Sequence, residues 1–408
     1  MDILFEKAPV TEHEVIEAIE TPVEQTEPLG ALIRRLSDIA PRRYRVLSCY
    51  LRLEPGDRFR AAYLVELKDR MKAVKADPVI LTLERDERLG VERDLERIVA
   101  RVERPASLPH TPGLAIFACE ELALFTVVSL RRVHRTRLVL DDTPWIRELV
   151  AAERESESML TVLVDRTHAR FFEVTVGEAV ELPCVITPAG RGGKYFPDRE
   201  DAPGVGERHY HQRIEEERHR HYADIVAELE RLAAQRRIRG IVIAGPQDHT
   251  AALTRFLPTH LAQRLLGTAA LNPTALTPSE VQAASFGVAE EHERAATAVL
   301  VASMEHSVGT GWAVNGARET LAALGRGQVR TLLIREDLDG AGFRCRDTGR
   351  LVLAKGDCAG EGAPDPVRDL VDEAVEEALH QRIQVVVIRD PDVAAAVDGL
   401  AAFLRFIR

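Results

Sequence analysis

The chain has 408 residues, 45% of them apolar, and a formal net charge of −11. At roughly 100–200 residues per domain this length predicts two to three domains, and the apolar content excludes a wholly disordered chain. The acidic excess excludes a uniformly basic nucleic-acid binder, so any RNA contact must come from a local basic patch. Only six residues are lysine, which draws attention to a lysine placed inside an unusual loop.

Cysteine usage and the N-terminus bear on the compartment. The five cysteines are scattered and odd in number, so no disulfide framework is expected and a reducing compartment fits. Acidic residues stand where a signal peptide needs positive charge, and no apolar run approaches the ~20 residues that span a bilayer. We therefore expect a soluble, cytoplasmic protein with no membrane contact and no cofactor.

The first 150 residues divide into a leader and an α/β region. Residues 1–30 are acidic, and a capping box at Thr11 and Glu14 predicts a short helix there. Further on, Arg45–Leu53 alternates like a strand. Charged helical stretches follow it, and three strand-like runs then lie between residues 113 and 140.

A second α/β region begins near residue 156 with a predicted strand hairpin around Asp165 and His168. A helix is predicted from about Glu207 to Arg236, with an apolar stripe that includes His221 and Leu229, and a strand follows over Arg239–Ala244. A third region begins with a helix capped by Thr277 or Ser279. Its other predicted elements are helices at Ala317–Leu324 and Asp365–Gln381 and strands at Val329–Arg335 and Ile383–Ile388.

The segment 188–206 is the most informative stretch. It opens with Pro-Ala-Gly-Arg-Gly-Gly-Lys, ending at Lys194, and continues through further prolines and glycines without apolar periodicity. Long loops of this kind inside a domain are usually functional or disordered, and glycine lets the backbone approach a ligand closely. The following helix carries basic residues that could neutralise phosphate, although interleaved glutamates also fit a solvated, ion-paired helix.

Four segments resemble the superfamily of eukaryotic and archaeal class-one release factors, which includes pelota, the Vms-type peptidyl-tRNA hydrolases and Balon-like bacterial factors. The hairpin 161–174 is similar to the start of the family's middle domain. Gly190–Lys194 resembles the release factors' GRGGQ loop, and 210–222 resembles the helix after that loop. Residues 314–334 are similar to the opening of the family's third, pelota-type domain. The resemblance covers about 155–408 well and 1–150 weakly.

The resemblance implies three α/β domains and a role on the ribosome. The domains are expected at about 1–155, with the acidic leader, 156–275, ribonuclease-H-like and carrying the loop 188–206, and 276–408, similar to the kink-turn-binding ribosomal proteins. A monomer is expected to occupy the A site, contacting rRNA near the peptidyl-transferase centre. The third domain would contact a translational GTPase such as elongation factor Tu.

The glutamine of the family's loop is missing here. Gly192 and Gly193 would shape the tip, and either Lys194 or, counting back from the helix, Glu207 stands where the glutamine should be. A lysine only donates hydrogen bonds and cannot reproduce an amide, so a non-hydrolytic role in ribosome hibernation or stalled-ribosome protection is favoured. A peptidyl-tRNA hydrolase or release factor is the alternative. The residues expected to contact RNA are Arg191, Lys194, Arg199, Arg208, Arg213 and Arg220.

Two further possibilities stay open. Cys345 and Cys358 stand where some relatives carry a zinc knuckle, but structural zinc wants four ligands, so a metal-free remnant is favoured over a zinc site. Asp165 ends a strand as the first carboxylate of a metal-dependent nuclease would, with Asp224, Glu228 and Asp248 as partners. Ordinary strand-end and surface acids explain the same residues.

Overall fold

The computed structural model describes residues 27–39, 44–104, 108–186, 205–273 and 276–407. Their contacts divide the chain into two compact units. One unit, here the split unit, combines 1–153 with 301–408, and the other, the middle unit, is 154–300. Helices and strands occur in both units, so the predicted α/β class is confirmed. The predicted domain limits at 155 and 275 stay a prediction.

The first segment of the split unit is an antiparallel sheet with helices. Its strands are β1 Val46–Arg52, β2 Gly113–Cys119, β3 Leu124–Leu130 and β4 Arg137–Asp141, in the order β3-β2-β1-β4. Its helices are α1 Leu29–Ser37, α2 Pro55–Phe59, α3 Ala62–Lys75, α4 Pro78–Thr82, α5 Arg85–Glu103 and α6 Arg147–Ser156. The sheet is buried on both faces, because one apolar cluster lies on the α3 and α5 side and another on the α1 and α6 side.

The middle unit is built on one five-stranded sheet in the order β7-β6-β5-β8-β9. The strands are β5 Ser158–Val164, β6 His168–Val174, β7 Ala179–Ile186, β8 Ile238–Gly245 and β9 Leu265–Ala270, and the helices are α7 Val205–Gln235, α8 Gln247–Phe256, α9 Thr259–Ala262 and α10 Pro278–Gly309. Strands β5, β6 and β7 form an antiparallel meander, and β8 and β9 run parallel to β5. This is the ribonuclease-H-like order expected for the middle region.

The helix after the loop was predicted well. It was expected over 207–236 and is Val205–Gln235. The predicted stripe is buried at His221, Ile225 and Leu229. There α7 packs on the face of the sheet that carries Leu160 and Val162 of β5. The cap of α10 is also confirmed, since Thr277 Oγ1 accepts from the Glu280 amide and Glu280 Oε2 accepts from the Thr277 amide.

The second segment of the split unit carries a four-stranded sheet in the order β10-β16-β11-β15. Its strands are β10 Ala313–Asn315, β11 Val329–Arg335, β15 Gln384–Ile388 and β16 Leu400–Leu404, and its helices are α11 Ala317–Gly325, α12 Leu370–His380 and α13 Pro391–Ala394. The helix expected from Asp365 begins later. Residues 364–367 form a strand, and Asp369 caps the helix by accepting from the Val371 and Asp372 amides.

A small sheet forms where a metal-free remnant was expected. Its strands are β12 Gly342–Cys345, β13 Leu351–Val352 and β14 Pro364–Val367. Cys345 and Cys358 are joined by a disulfide, with their Cα atoms 5.4 Å apart. The expectation of no disulfide is therefore wrong for this pair, and neither sulfur is a free thiolate able to bind zinc. The sequence could not show that strand β12 brings these two cysteines together.

Candidate functional site

Two turns lie side by side at the carboxyl ends of the parallel strands β5 and β8. Leu163 pairs with Ala244, so Asp165 and Gly245 follow at the same sheet edge. At Gly245 the backbone has φ +143°, and a Cβ there would stand 2.2 Å from the Val164 carbonyl oxygen. Only glycine lets the two strand ends approach this closely. Edges of this kind are where open α/β sheets place their binding sites.

The first turn is locked by the Asp165 carboxylate. Its Oδ1 accepts from the backbone amides of Thr167 at 2.6 Å and His168 at 2.7 Å. Burial would raise the pKa of Asp165, but the two amide hydrogen bonds, together with the neighbouring His168 ring and the Thr167 hydroxyl, outweigh burial and hold the pKa below its ordinary value. Asp165 is therefore an ionised structural acceptor, and its bonds close the hairpin between β5 and β6.

This hairpin holds the strand that leads into the Gly-rich segment. His168 pairs with Ile186, the last described residue before 187–204. The chain therefore leaves the sheet for the Gly-rich segment directly beside the Asp165 turn.

The same hairpin also holds the helix that follows the segment. His221 of α7 is buried, and its Nε2 lies 3.3 Å from the Asp165 carbonyl oxygen. A carbonyl oxygen only accepts, so Nε2 carries the proton in this contact. Burial lowers the pKa of His221, against smaller opposing effects of Asp165 and Asp224, which favours the neutral ring.

A second contact ties α7 to the start of α8. The Tyr222 hydroxyl hydrogen-bonds His249 Nδ1 at 3.1 Å, and Tyr222 packs near the Phe256 ring. Burial raises the pKa of Tyr222, so its hydroxyl stays protonated at neutral pH. Together, the contacts of His221 and Tyr222 attach α7 to the β5–β6 hairpin and to the start of α8 at one point along the helix.

The N-terminal half of α7 extends well beyond that point. From Val205 to His221 the helix has seventeen residues, and the sixteen steps between them at 1.5 Å each span about 24 Å. Arg218, His219 and Arg220 are exposed on this part of the helix. The middle unit thus has a long helix anchored at its base and leading to the Gly-rich segment.

The contacts of Asp165, His221 and Tyr222 are suited to positioning α7. In the described ranges no three His, Cys, Asp or Glu side chains are grouped to hold a metal ion. Of the nuclease candidates, Asp165 is engaged by backbone amides, and Glu228 is ion-paired with Arg231, which lowers the pKa of Glu228. The arrangement can hold α7 in a defined direction on the sheet.

Most of the predicted site residues lie outside what the structure describes. Gly192, Gly193, Lys194, Arg191 and Arg199 fall in 187–204. Glu207, Arg208 and Arg213 lie on α7, without described side chains, and Arg220 is described and exposed. The sequence missed the Tyr222–His249 contact. An aromatic residue next to the buried His221 was its only signal.

Residues 144–299 match the family model described as bacterial archaeo-eukaryotic release factor family 10. This segment belongs to the release-factor superfamily. It contains the whole meander, α7, β8 and β9, together with the Gly-rich segment. The predicted resemblance is therefore confirmed for the part of the chain that carries the candidate site.

Solved structures of similar proteins include a translation termination factor, a Pelota and Dom34. The archaeal translation termination factor aRF1 is 20% identical, with 93% of this chain and 97% of that chain covered and a TM-score of 0.25. A model of ribosome-bound archaeal Pelota and ABCE1 is 19% identical, covering 70% and 72%, with a TM-score of 0.39. Dom34 of S. cerevisiae is 9% identical, covering 72% and 80%, with a TM-score of 0.38. No curated protein matches.

Proposed function

We propose that this protein is a ribosome-binding translation factor that enters the A site and directs the segment 188–206 toward the peptidyl-transferase centre. The observation that carries the proposal is that one hairpin, between β5 and β6, contacts both the strand that enters the segment and the helix that leaves it. A loop that must act far from its domain needs such contacts, because its position is then set by the scaffold.

A non-hydrolytic role is proposed first. Whichever alignment of the tip is used, Lys194 or Glu207 replaces the glutamine that the family uses. A lysine supplies a positive charge that suits rRNA phosphate and lacks the carbonyl oxygen of an amide. We expect the protein to protect idle or stalled ribosomes, in the cytoplasm, without cleaving peptidyl-tRNA. No helix in the described part of the chain has the length and apolarity to cross a membrane.

Partners follow from the relatives by analogy alone. The solved relatives include a ribosome-bound Pelota with ABCE1 and a Dom34 that interacts with Hbs1. We propose that residues 276–408 likewise contact a translational GTPase, such as elongation factor Tu, and that the protein acts as a monomer.

The first experiment measures binding to ribosomes. The purified chain is sedimented with 70S ribosomes through a sucrose cushion, and we expect it to pellet with them. Arg220→Glu should weaken pelleting because it reverses an exposed charge on the leading half of α7. Arg237→Glu is the matched control, since Arg237 is also exposed in the middle unit and is paired with Glu157. Failure of the wild-type chain to pellet would overturn the proposal.

The second experiment separates protection from hydrolysis. Ribosomes carrying peptidyl-tRNA are incubated with the chain, and the ester bond is followed by release of labelled peptide. The proposal expects binding without release. Release that is abolished in Gly192→Ala or Lys194→Ala would establish the peptidyl-tRNA hydrolase alternative instead.

A further inference from the structure

Four exposed arginines lie at one end of the sheet β10-β16-β11-β15. They follow α11, begin β11, follow α12 and follow β16, and they are Arg326, Arg330, Arg382 and Arg405. Within the described ranges none of the four has an ion-pair partner. In a chain of net charge −11, other arginines of the same unit are paired with carboxylates, such as Arg335, Arg344 and Arg346. We call the group of four the arginine end.

Hydrogen bonds show that these residues are neighbours. The Arg405 amide donates to the Gln328 carbonyl at 2.7 Å, and Arg326 Nε donates to the Gln328 side chain at 2.5 Å. Arg405 Nη2 also donates to the carbonyl of Gln381, at 3.3 Å, next to Arg382. The carboxylate of Glu377 accepts from the Gln381 side chain. Arg326 and Arg405 therefore both contact Gln328, and Arg405 also contacts the residue that precedes Arg382.

The backbone at two of these arginines is irregular. Val329 pairs with Leu404 and Thr331 with Phe403, so Arg330 is an extra residue in β11, and its guanidinium lies 5.5 Å from the Phe403 ring centre. Bulges of this kind redirect a side chain. Arg382 has φ +56° at the end of α12, a position where glycine is usual. Arg382 therefore adopts a strained backbone conformation that glycine would adopt freely, and unlike glycine it contributes a positive charge.

Exposed apolar side chains border the arginine end. Trp312, Phe406 and Ile407 are 49%, 42% and 48% exposed. The Trp312 carbonyl accepts from the Leu404 amide, which precedes Arg405, and Ile407 packs at Gly311 beside Trp312. Flat exposed rings next to unpaired arginines are what nucleic-acid bases and phosphates require together.

From this juxtaposition we propose that the arginine end, with Trp312 and Phe406, is a binding site for single-stranded RNA. The guanidinium groups contact consecutive phosphates, and the exposed rings stack on unpaired bases. An acidic protein segment could pair with the arginines, but it has no bases to stack on the exposed rings. RNA can make both interactions and therefore fits the surface better. This site lies in residues 301–408, which belong to the split unit.

The test is fluorescence anisotropy of a labelled 12-nucleotide single-stranded RNA of mixed sequence, titrated with the full chain over a range of salt. Arg330→Gln and Arg405→Gln should each weaken binding several-fold, and the slope of log affinity against log salt should fall by about 0.7 for each phosphate that is no longer neutralised. Trp312→Ala should weaken binding while Trp312→Phe retains it. Arg346→Gln is the control, because Arg346 is exposed in the same unit but paired with Asp365.

Three results would overturn the proposal. One is unchanged affinity in the Arg330 and Arg405 variants with their melting temperature preserved. Another is loss of binding only in Arg220→Glu, which would assign RNA contact to the middle unit. The third is full competition by polyglutamate with no effect of Trp312→Ala, which would identify the surface as a docking site for acidic protein. Crosslinking of 4-thiouridine RNA to the peptides around 312 and 405 would support it.

Discussion

At the scale of single residues, Gly245 is a position in the middle unit that cannot accommodate a side chain. Its φ of +143° and the 2.2 Å between a built Cβ and the Val164 carbonyl oxygen leave no room for a side chain. In Gly245→Ala the ends of β5 and β8 must separate, and we expect a loss of about 3 kcal/mol in the free energy of unfolding. The measurement is hydrogen exchange of the β5 and β8 amides.

Gly287→Ala is the control for this change. Gly287 lies within α10 with nothing within 4 Å of a built Cβ, so alanine there should raise helix stability by up to ~1 kcal/mol. Equal effects of the two substitutions would contradict the close contact at Gly245.

The buried His221 makes a second residue-scale prediction, in the dependence of stability on pH. Burial lowers its pKa in the folded chain, so the unfolded chain takes up a proton first as the pH falls. The stability of the middle unit should be full above the unfolded pKa of about 6.5 and should decline below it. His221→Gln should flatten that decline, whereas exposed His260→Gln should not. Hydrogen exchange of α7 at pH 7.5 and 5.5, corrected for intrinsic rates, measures both.

At the scale of elements, the small sheet β12-β13-β14 depends on the Cys345–Cys358 disulfide. The bond closes a short loop between residues separated by 13 in the sequence. By restricting the unfolded chain, it stabilises the folded state by about 3 kcal/mol. The loop keeps other contacts without it, since Arg350 donates to Glu361 and to the Asp357 carbonyl. Reduction should therefore loosen the sheet while the rest of the split unit stays folded.

Melting with and without dithiothreitol tests the role of the disulfide. The wild-type chain should lose stability on reduction, and the double variant Cys345→Ala, Cys358→Ala should melt early in both conditions with no further shift. An effect of dithiothreitol that persists in the double variant would point to another cause.

These elements also show what the sequence could and could not predict. The position of α7 and the capping of α10 were predictable, because apolar spacing and caps are local signals. The disulfide and the strand at 364–367 were not, since both depend on pairing with a distant strand that leaves no periodic trace. Likewise His221 was recognised as part of a buried stripe, while its bond to the Asp165 carbonyl could be known only from the fold.

At the scale of the whole molecule, the unexpected feature is that the first and last segments form one compact unit. Buried carboxylates of α12 join them. Asp372 Oδ1 accepts from the Ile146 and Arg147 amides at the start of α6, at 3.1 and 3.0 Å, and Glu376 accepts from the Thr143 hydroxyl at 3.3 Å. Arg137 is also buried in this unit and is paired with Asp339.

This junction gives the split unit a pH response opposite to that of the middle unit. Burial first, and then Glu373, raises the pKa of Glu376 from 4.5 to about 7, against smaller opposing effects of His380, Arg344 and the Thr143 hydrogen bond. The folded chain thus holds a proton that the unfolded chain releases, and stability should fall by up to ~3 kcal/mol as the pH rises from about 4.5 to 7.

Glu376→Gln should remove this penalty, because the amide is neutral at every pH and still accepts from Thr143. The variant should be more stable than wild type at pH 8 and similar at pH 4.5. Urea denaturation followed by tryptophan fluorescence reports on this unit alone, since Trp145 and Trp312, the two tryptophans of the chain, both lie in it. Glu54→Gln, at an exposed acid of the same unit, should leave the pH profile unchanged. A wild-type unit that gains stability from pH 5 to 8 would refute a protonated Glu376 at the junction.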